Sequence, residues 1–297
     1  KFEITPSKEG LAVDMDATKA ALNEALNSEN TDAIRVEASE TVKKPKVTEE
    51  DLETIKDVLG TFSTSFATSG ASRSTNLAVG AGKINGHVLM PGEVLSGYEC
   101  MHPFTLENGY KTATAYENGK SVDSIGGGVC QISTTLYNAS LYAELEIVQR
   151  QNHSMSVSYV KPSMDAAIAG TYKDLKVKNP YDTPIYVEGY TKGKTLTITI
   201  YAKETRTKNR TLALESETLS TTPSPTQEIQ DPSLPAGKRV KVESGHTGLK
   251  SKLYKCVYVG GQLQERTLLN SDTYNASKTV YRVGTGVAAP AETTPVA

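Results

Sequence analysis

The residues equipped for chemistry stand in one stretch. Cys130 follows three glycines in GGGVCQISTTLYNA, and His153 closes LEIVQRQNH. Glycines 126–128 permit positive φ and close approach to the main chain, so their N–H groups can converge on one point. Over 131–143, Ile132, Leu136, Ala139 and Ala143 recur at helical spacing, with Tyr137, Leu141 and Leu145 on a neighbouring face. The pattern predicts a helix buried on most sides, with Cys130 at or just before its N-terminus. There, unpaired N–H groups and the helix dipole stabilise a thiolate and can lower a thiol pKa from ~8.5 to roughly 3.5–7.5. Residues 145–150 (LEIVQR) predict a strand, and 154–160 (SMSVSYV) a second with Met155, Val157 and Tyr159 apolar, leaving His153 in the turn between. A base held on a strand beside such a thiol makes a nucleophilic Cys–His pair. The alternative is a small buried cysteine and a structural histidine, against which the glycine run weighs. His87, His102 and His246 lie outside any thiol-bearing turn.

The stretch resembles the VanW domain family. The resemblance is carried by GGGVCQISTTLYNA, LEIVQRQNHSMSVSYV and DAAIAGTYKDLKVKNPYDTPIYV, and upstream by FSTSFATSGASRSTNLAVGAGKINGHVLMPGEVLS and ENGYKTATAYENGK, together spanning about 62–190. It implies a cell-wall protein of the kind attached to glycopeptide-resistance loci and, in clostridial members, a peptidoglycan L,D-transpeptidase that works through a cysteine. On that resemblance Cys130 attacks a stem-peptide carbonyl to give a thioester, and His153 deprotonates the acceptor amine. Backbone N–H groups of Gly127, Gly128, Val129 and Cys130 hold the oxyanion, and Asp165, or equally a backbone carbonyl, orients His153. Arg73 binds a stem carboxylate bidentately or is a structural arginine, and Ser154 lines the substrate groove. Two rivals stay open. One is a metal site from Cys100, His102, Cys130 and His153, although C-x-H lacks the usual zinc spacing. The other is a non-catalytic wall-binding adaptor whose glycine turn is architectural.

Composition limits the function classes. A formal net charge of −2 over 297 residues gives no electrostatic case for nucleic acid. Fifteen tyrosines against four phenylalanines, with no tryptophan, suit a polar, β-rich extracellular protein. Cys100, Cys130 and Cys256 are an odd number, which leaves at least one free thiol. No apolar run approaches the roughly 20 residues that span a bilayer. Because the chain starts abruptly at Lys1, we expect a membrane-anchored, cell-wall-facing ectodomain whose anchor is absent. We also expect a monomer with no cofactor, whose partners are peptidoglycan stem peptides and glycan.

The organisation expected is α+β: a β-rich catalytic domain with a central buried helix, a small α/β module before it and an all-β module after it. Residues 1–47 read as strand (KFEITP), helix (DATKAALNEALN, capped by Asp14 or Asp16) and strand (AIRVEA), resembling the end of the peptidoglycan-binding modules that precede VanW domains. The catalytic domain is placed at 48–202. It opens with a capping box at Thr48 and a helix through Leu52, Ile55, Val58 and Leu59 that Gly60 stops. A helix over 73–85 follows, capped by Ser74 or Thr75, in which Gly80 and Gly82 permit close packing; neither glycine run is a phosphate loop. Asn118-Gly119 predicts a hairpin leading into the glycine run. DLKVKN, TPIYVEGY and TLTITIYA predict an antiparallel meander. Residues 203–235, rich in Thr, Ser and Pro, read as a linker merging into a first strand. Residues 236–284 resemble a G5 domain, a slender β-module of surface proteins, with Cys256 structural in a strand, and 285–297 read as a disordered tail. The linker implies that everything from about Thr222 onward is separable from catalysis.

Overall fold

The computed structural model describes residues 2–28, 34–117 and 120–286, and the chain divides into two compact units, Lys1–Lys56 and Asp57–Ala297. In the first unit β1 (Gly10–Val13) pairs antiparallel with β2 (Glu40–Lys43), and α1 (Met15–Asn27) connects them. Asp14 caps α1 by accepting from Ala17 N–H. α2 (Glu49–Glu53) starts with a complete capping box between Thr48 and Asp51. The strands expected in KFEITP and AIRVEA do not form among the described residues; GLAV and ETVK make the ladder instead.

The second unit holds β3 (Asp57–Ser65), α3 (Ala71–Ile84), β4 (His87–Leu89), β5 (Val94–Ser96), α4 (Gly97–Met101), β6 (Thr112–Glu117), β7 (Lys120–Ile125), α5 (Val129–Tyr142), β8 (Glu146–Gln149), β9 (Lys176–Lys178), β10 (Ile185–Lys192) and β11 (Thr195–Ala202). Its main sheet has the order β3-β11-β10-β4. α5 packs against β3 and β11, and α3 against β10 and α5. Ile132, Leu136 and Ala139 of α5 meet Leu196, Ile198 and Ile200 of β11 in one fully buried cluster. At about 1.5–3 kcal/mol for each fully buried Leu or Ile, this stripe anchors α5 and leaves its other face free to carry polar side chains.

Several expectations change here. Val58 and Leu59 belong to β3, so α2 ends early and Gly60 is a strand residue. A Cβ on Gly60 would lie 2.3 Å from Ala143 N, so glycine there lets the strand pass under the end of α5. Gly80 does the same for α3 against Ile132, whereas Gly82 faces open space. Gly70, not Ser74 or Thr75, is the N-cap of α3. β6 and β7 pair as a hairpin, with Asn118 and Gly119 outside the described residues. β10 and β11 pair as expected, but β9 joins a separate sheet, β5-β9-β8, so the meander is incomplete. Residues 154–160 form no strand.

The remaining strands are β12 (Arg210–Thr222), β13 (Thr226–Pro235), β14 (Arg239–Glu243), β15 (Gly248–Val259), β16 (Gln262–Tyr274) and β17 (Thr279–Gly286). They form two three-stranded sheets, β12-β15-β16 and β13-β17-β14, with β13 and β17 parallel. β12 and β13 thus occupy most of the stretch expected as a linker. Their residues are mostly exposed on both faces. A module too slender for a thick core needs few apolar residues, and this produced the linker-like composition. Of residues 285–297, expected as a tail, Thr285 and Gly286 extend β17, and 287–297 lie outside the described residues. Among the described residues no helix is long and apolar enough to cross a membrane.

Candidate active site

The glycine run makes the turn that aims α5. Gly126 and Gly128 have φ of 83° and 113°, values glycine adopts without strain, and a Cβ on Gly127 would fall 2.4 Å from the Ala113 carbonyl oxygen. Asn76 of α3 pins the turn: its Nδ2 donates to Gly127 O at 3.0 Å and to Lys111 O at 2.9 Å, and its Oδ1 accepts from Lys111 N–H at 2.7 Å. Gly128 is the N-cap and offers no side-chain cap, so the positive end of α5 stays open toward Cys130 in its first turn. Cys130 is half-buried, and Ile168 N–H donates to its Sγ at 3.5 Å.

His153 and Asp165 complete the constellation. His153 and Cys130 shift each other's pKa, while the His153 Nδ1 lies 2.6 Å from Asp165 Oδ2, which also accepts from His153 N–H at 2.7 Å. Of the two orienters expected for His153, the side chain of Asp165 is the one in place. It is 1% exposed and the histidine 16%. Burial opposes a thiolate at Cys130, but His153, Ile168 N–H and Lys173 outweigh it, so the thiol lies below its ordinary value. Burial also opposes the imidazolium; Asp165 and Cys130 outweigh it and hold His153 up at about 9. Burial pushes Asp165 up, and His153 with Tyr274 brings it below the usual carboxyl value. The arrangement shifts Cys130 toward the thiolate and His153 toward the imidazolium, backed by a carboxylate.

The Asp165 segment is sewn to the thiol's own helix. Ser133 Oγ donates to Ala166 O at 2.5 Å, Thr134 Oγ1 accepts from Ala166 N–H at 3.0 Å, and Asn138 Nδ2 donates to Met164 O at 2.7 Å. Arg150 grips the same segment, with Nε on Asp165 O at 2.7 Å and Nη2 on Asp165 Oδ1 at 3.2 Å. Its Nη1 reaches Asp272 of β16 at 2.7 Å. Tyr274 Oη also donates to Asp165. The C-terminal module is therefore not set apart from the site by a linker.

Residues 72–201 match the family described as VanW like protein, and 214–286 match the G5 domain. The chain carries a VanW-like domain followed by a G5 domain. It is 37% identical over 171 residues to the uncharacterized protein YoaR of Bacillus subtilis (strain 168), covering 57% of this chain and 56% of that one. It is 33% identical over 113 residues to the Vancomycin B-type resistance protein VanW of Enterococcus faecalis (strain ATCC 700802 / V583), covering 36% of this chain and 41% of that one. The chain thus spans about half the length of the curated relatives it matches. Among solved structures, the IgA1 protease G5 domain aligns at 19% identity with a TM-score of 0.19, covering 26% of this chain and 93% of that one.

Within the VanW-like domain, Cys130, His153 and Asp165 come together, and the other expected residues fare differently. Gly127 N–H donates to Ser124 O and Val129 N–H to Gly126 O, both at 3.2 Å, which withdraws them from an oxyanion hole. Among the described residues, Gly128 and Cys130 N–H take no such turn bond. Arg73 lies beside Gly128, but Nη1 donates to Ser69 Oγ at 2.7 Å and Nη2 to Gln131 Oε1 at 2.8 Å, so it braces the turn as a structural arginine. Ser154 is exposed, and its carbonyl accepts from Asn275 N–H at 2.7 Å. Cys100 lies 3.4 Å from His87 Nε2, so His87 does have a thiol neighbour, and burial with Asp174 and Glu99 pushes that thiol up to about 11. Among the described residues no three His, Cys, Asp or Glu side chains are grouped to hold a metal. The sequence reading missed Asn76, Gln131, Arg150 and Tyr274. Only the unusual density of Ser, Thr and Asn on α5 hinted that the helix has polar work to do.

Proposed function

We propose that the chain is a cysteine acyltransferase of the bacterial cell wall, a peptidoglycan L,D-transpeptidase. The observation that carries this reading is His153, hydrogen-bonded to the buried carboxylate of Asp165, acting on the pKa of Cys130 at an uncapped helix N-terminus. The Cys130 thiolate adds to the carbonyl carbon between an L-centre and D-Ala of a donor stem. The C–N bond breaks, the D-Ala amine leaves with the His153 proton, and a thioester remains. The acceptor amine then attacks the thioester, gives its proton to His153 and expels the thiolate. Gly128 and Cys130 N–H are the donors left for the oxyanion, and Lys173 adds positive charge toward the thiol. Glycan of the wall is the proposed partner of the G5 domain, and the outer face of the cell membrane the proposed location.

The first test is thiol selectivity. Iodoacetamide at neutral pH should label Cys130 well before Cys100, held up at about 11, and Cys256, which is buried. Labelling of Cys130 no faster than of Cys100 contradicts an activated nucleophile and returns the glycine turn to an architectural role.

A further inference from the structure

We infer that the G5 domain is a working part of the active site, with Tyr274 as a positioning residue for the Asp165–His153 pair. The inference rests on the proposed function only in taking Cys130 and His153 to act together.

The decisive residue is Ser163, two positions before Asp165. It is fully buried with φ of 64°, a left-handed conformation that a serine holds only when its surroundings enforce it. Its N–H donates to Tyr274 Oη at 2.8 Å. Its Oγ shares a 2.6 Å hydrogen bond with Ser251 Oγ. Its carbonyl accepts from Asn270 Nδ2 at 2.9 Å. Each polar atom of Ser163 thus meets β15 or β16 of the G5 domain. Tyr274 Oη bridges from Ser163 N–H to Asp165, so one hydroxyl ties the strained turn to the carboxylate that orients the base. The flanks are tied as well. Asn152 Nδ2 donates to Thr273 O at 3.0 Å, and Asn275 N–H donates to Ser154 O, bracketing His153 on both sides. A polar cleft of about 400 Å³ lined by Tyr137, Gln149, Arg150, Asn270 and Asp272 lies behind this contact.

The test is the pH profile of Cys130 alkylation, read by intact mass, in the full chain carrying Tyr274→Phe. The sign separates two effects. Losing one donor to Asp165 would by itself make the carboxylate more basic, strengthen the imidazolium and move the thiol further down. Losing the bridge to Ser163 lets Asp165 and His153 drift from the thiol and moves it up toward an ordinary cysteine. Arg150 still donates to Asp165 Oδ1, which limits the first effect, whereas the left-handed Ser163 loses the acceptor of its buried N–H and relaxes, so the second effect wins. We expect an upward shift of about one pH unit, which is about a tenfold slower alkylation at neutral pH, with the fold retained by circular dichroism. Arg239→Ala, an exposed site on β14 in the other G5 sheet, should leave the profile unchanged. An unchanged or downward-shifted profile for folded Tyr274→Phe overturns the inference. If that variant does not fold, Asp272→Asn applies the same test through Arg150, with the same outcomes. Alkylation needs no muropeptide, so a shifted profile in a protein that forms no cross-links would retain the coupling while refuting the transpeptidase reading.

Discussion

The two arms of the site are built in opposite ways. The nucleophile arm is a regular helix whose apolar stripe is buried against β11 and whose start is set by a glycine turn pinned by Asn76. The base arm, 150–168, is irregular chain held by side-chain hydrogen bonds from α5 on one side and from the G5 domain on the other. The first gets its position from packing and the second from a polar network. Packing tolerates the loss of a contact better than a buried network tolerates an unpaired donor. Substitutions that spare the core should therefore damage the base arm more.

The largest effect that sharpens this contrast is expected from His153→Ala. It should lower the acylation rate at least about a hundredfold in a folded protein, measured by single-turnover formation of the thioester. Retained activity in that variant, with loss at His87→Ala or His102→Ala instead, would reassign the base. Asp165→Asn is expected next, at about ten- to hundredfold, because it leaves Arg150 with Asp272 as its remaining charge partner and takes away the carboxylate that orients His153. The pH dependence should follow from the same pair. The lowered thiol raises the thiolate fraction over that of an ordinary cysteine, and the imidazolium that protonates the leaving amine is lost above about 9. Acylation should fall about tenfold per unit beyond that point, whereas alkylation, which needs no acid, should not. A common decline of both would mean that the thiolate itself is failing.

Two stability tests probe the two arms separately. Asn138→Ala removes donors to Thr134 O and Met164 O and should cost about 1–3 kcal/mol, loosening the base arm and slowing acylation. Gly60→Ala puts a methyl group into the backbone of Ala139 and Ala143 and should cost a similar 1–3 kcal/mol with little change in the chemistry of the molecules that remain folded. Equal effects on turnover per folded molecule would erase the distinction between a packed and a networked arm.

The same contrast explains what was legible in the sequence. Helix α5, the glycine turn and Cys130 at its start could be read because periodicity and glycine punctuation are local signals. His153 is legible as a base in the turn beyond the strand that follows α5, and Asp165 only as a candidate to orient it, whereas the coil between them at 154–160 reads as a strand from its alternating Met155, Val157 and Tyr159. That coil is fixed by partners far along the chain, such as Tyr274 and Asn270, which no local pattern encodes. The same blindness produced the linker at 203–235. Strands exposed on both faces lack the apolar alternation by which strands are recognised, and the expectation that everything beyond Thr222 is dispensable followed from it. Removing that stretch would take away Ser251, Asn270, Asp272 and Tyr274 together.

In the proposed reaction Cys130 passes through a thioester to a cross-link. Its most direct test is incubation of the full chain, beside Cys130→Ala, with disaccharide-tetrapeptide muropeptides, with protein and products both read by mass. The intact chain should give an acyl adduct on Cys130, release of D-Ala and dimeric muropeptides, and a folded Cys130→Ala protein none of these. Dimers formed by Cys130→Ala, or an intact chain that neither acquires an adduct nor releases D-Ala, would contradict it.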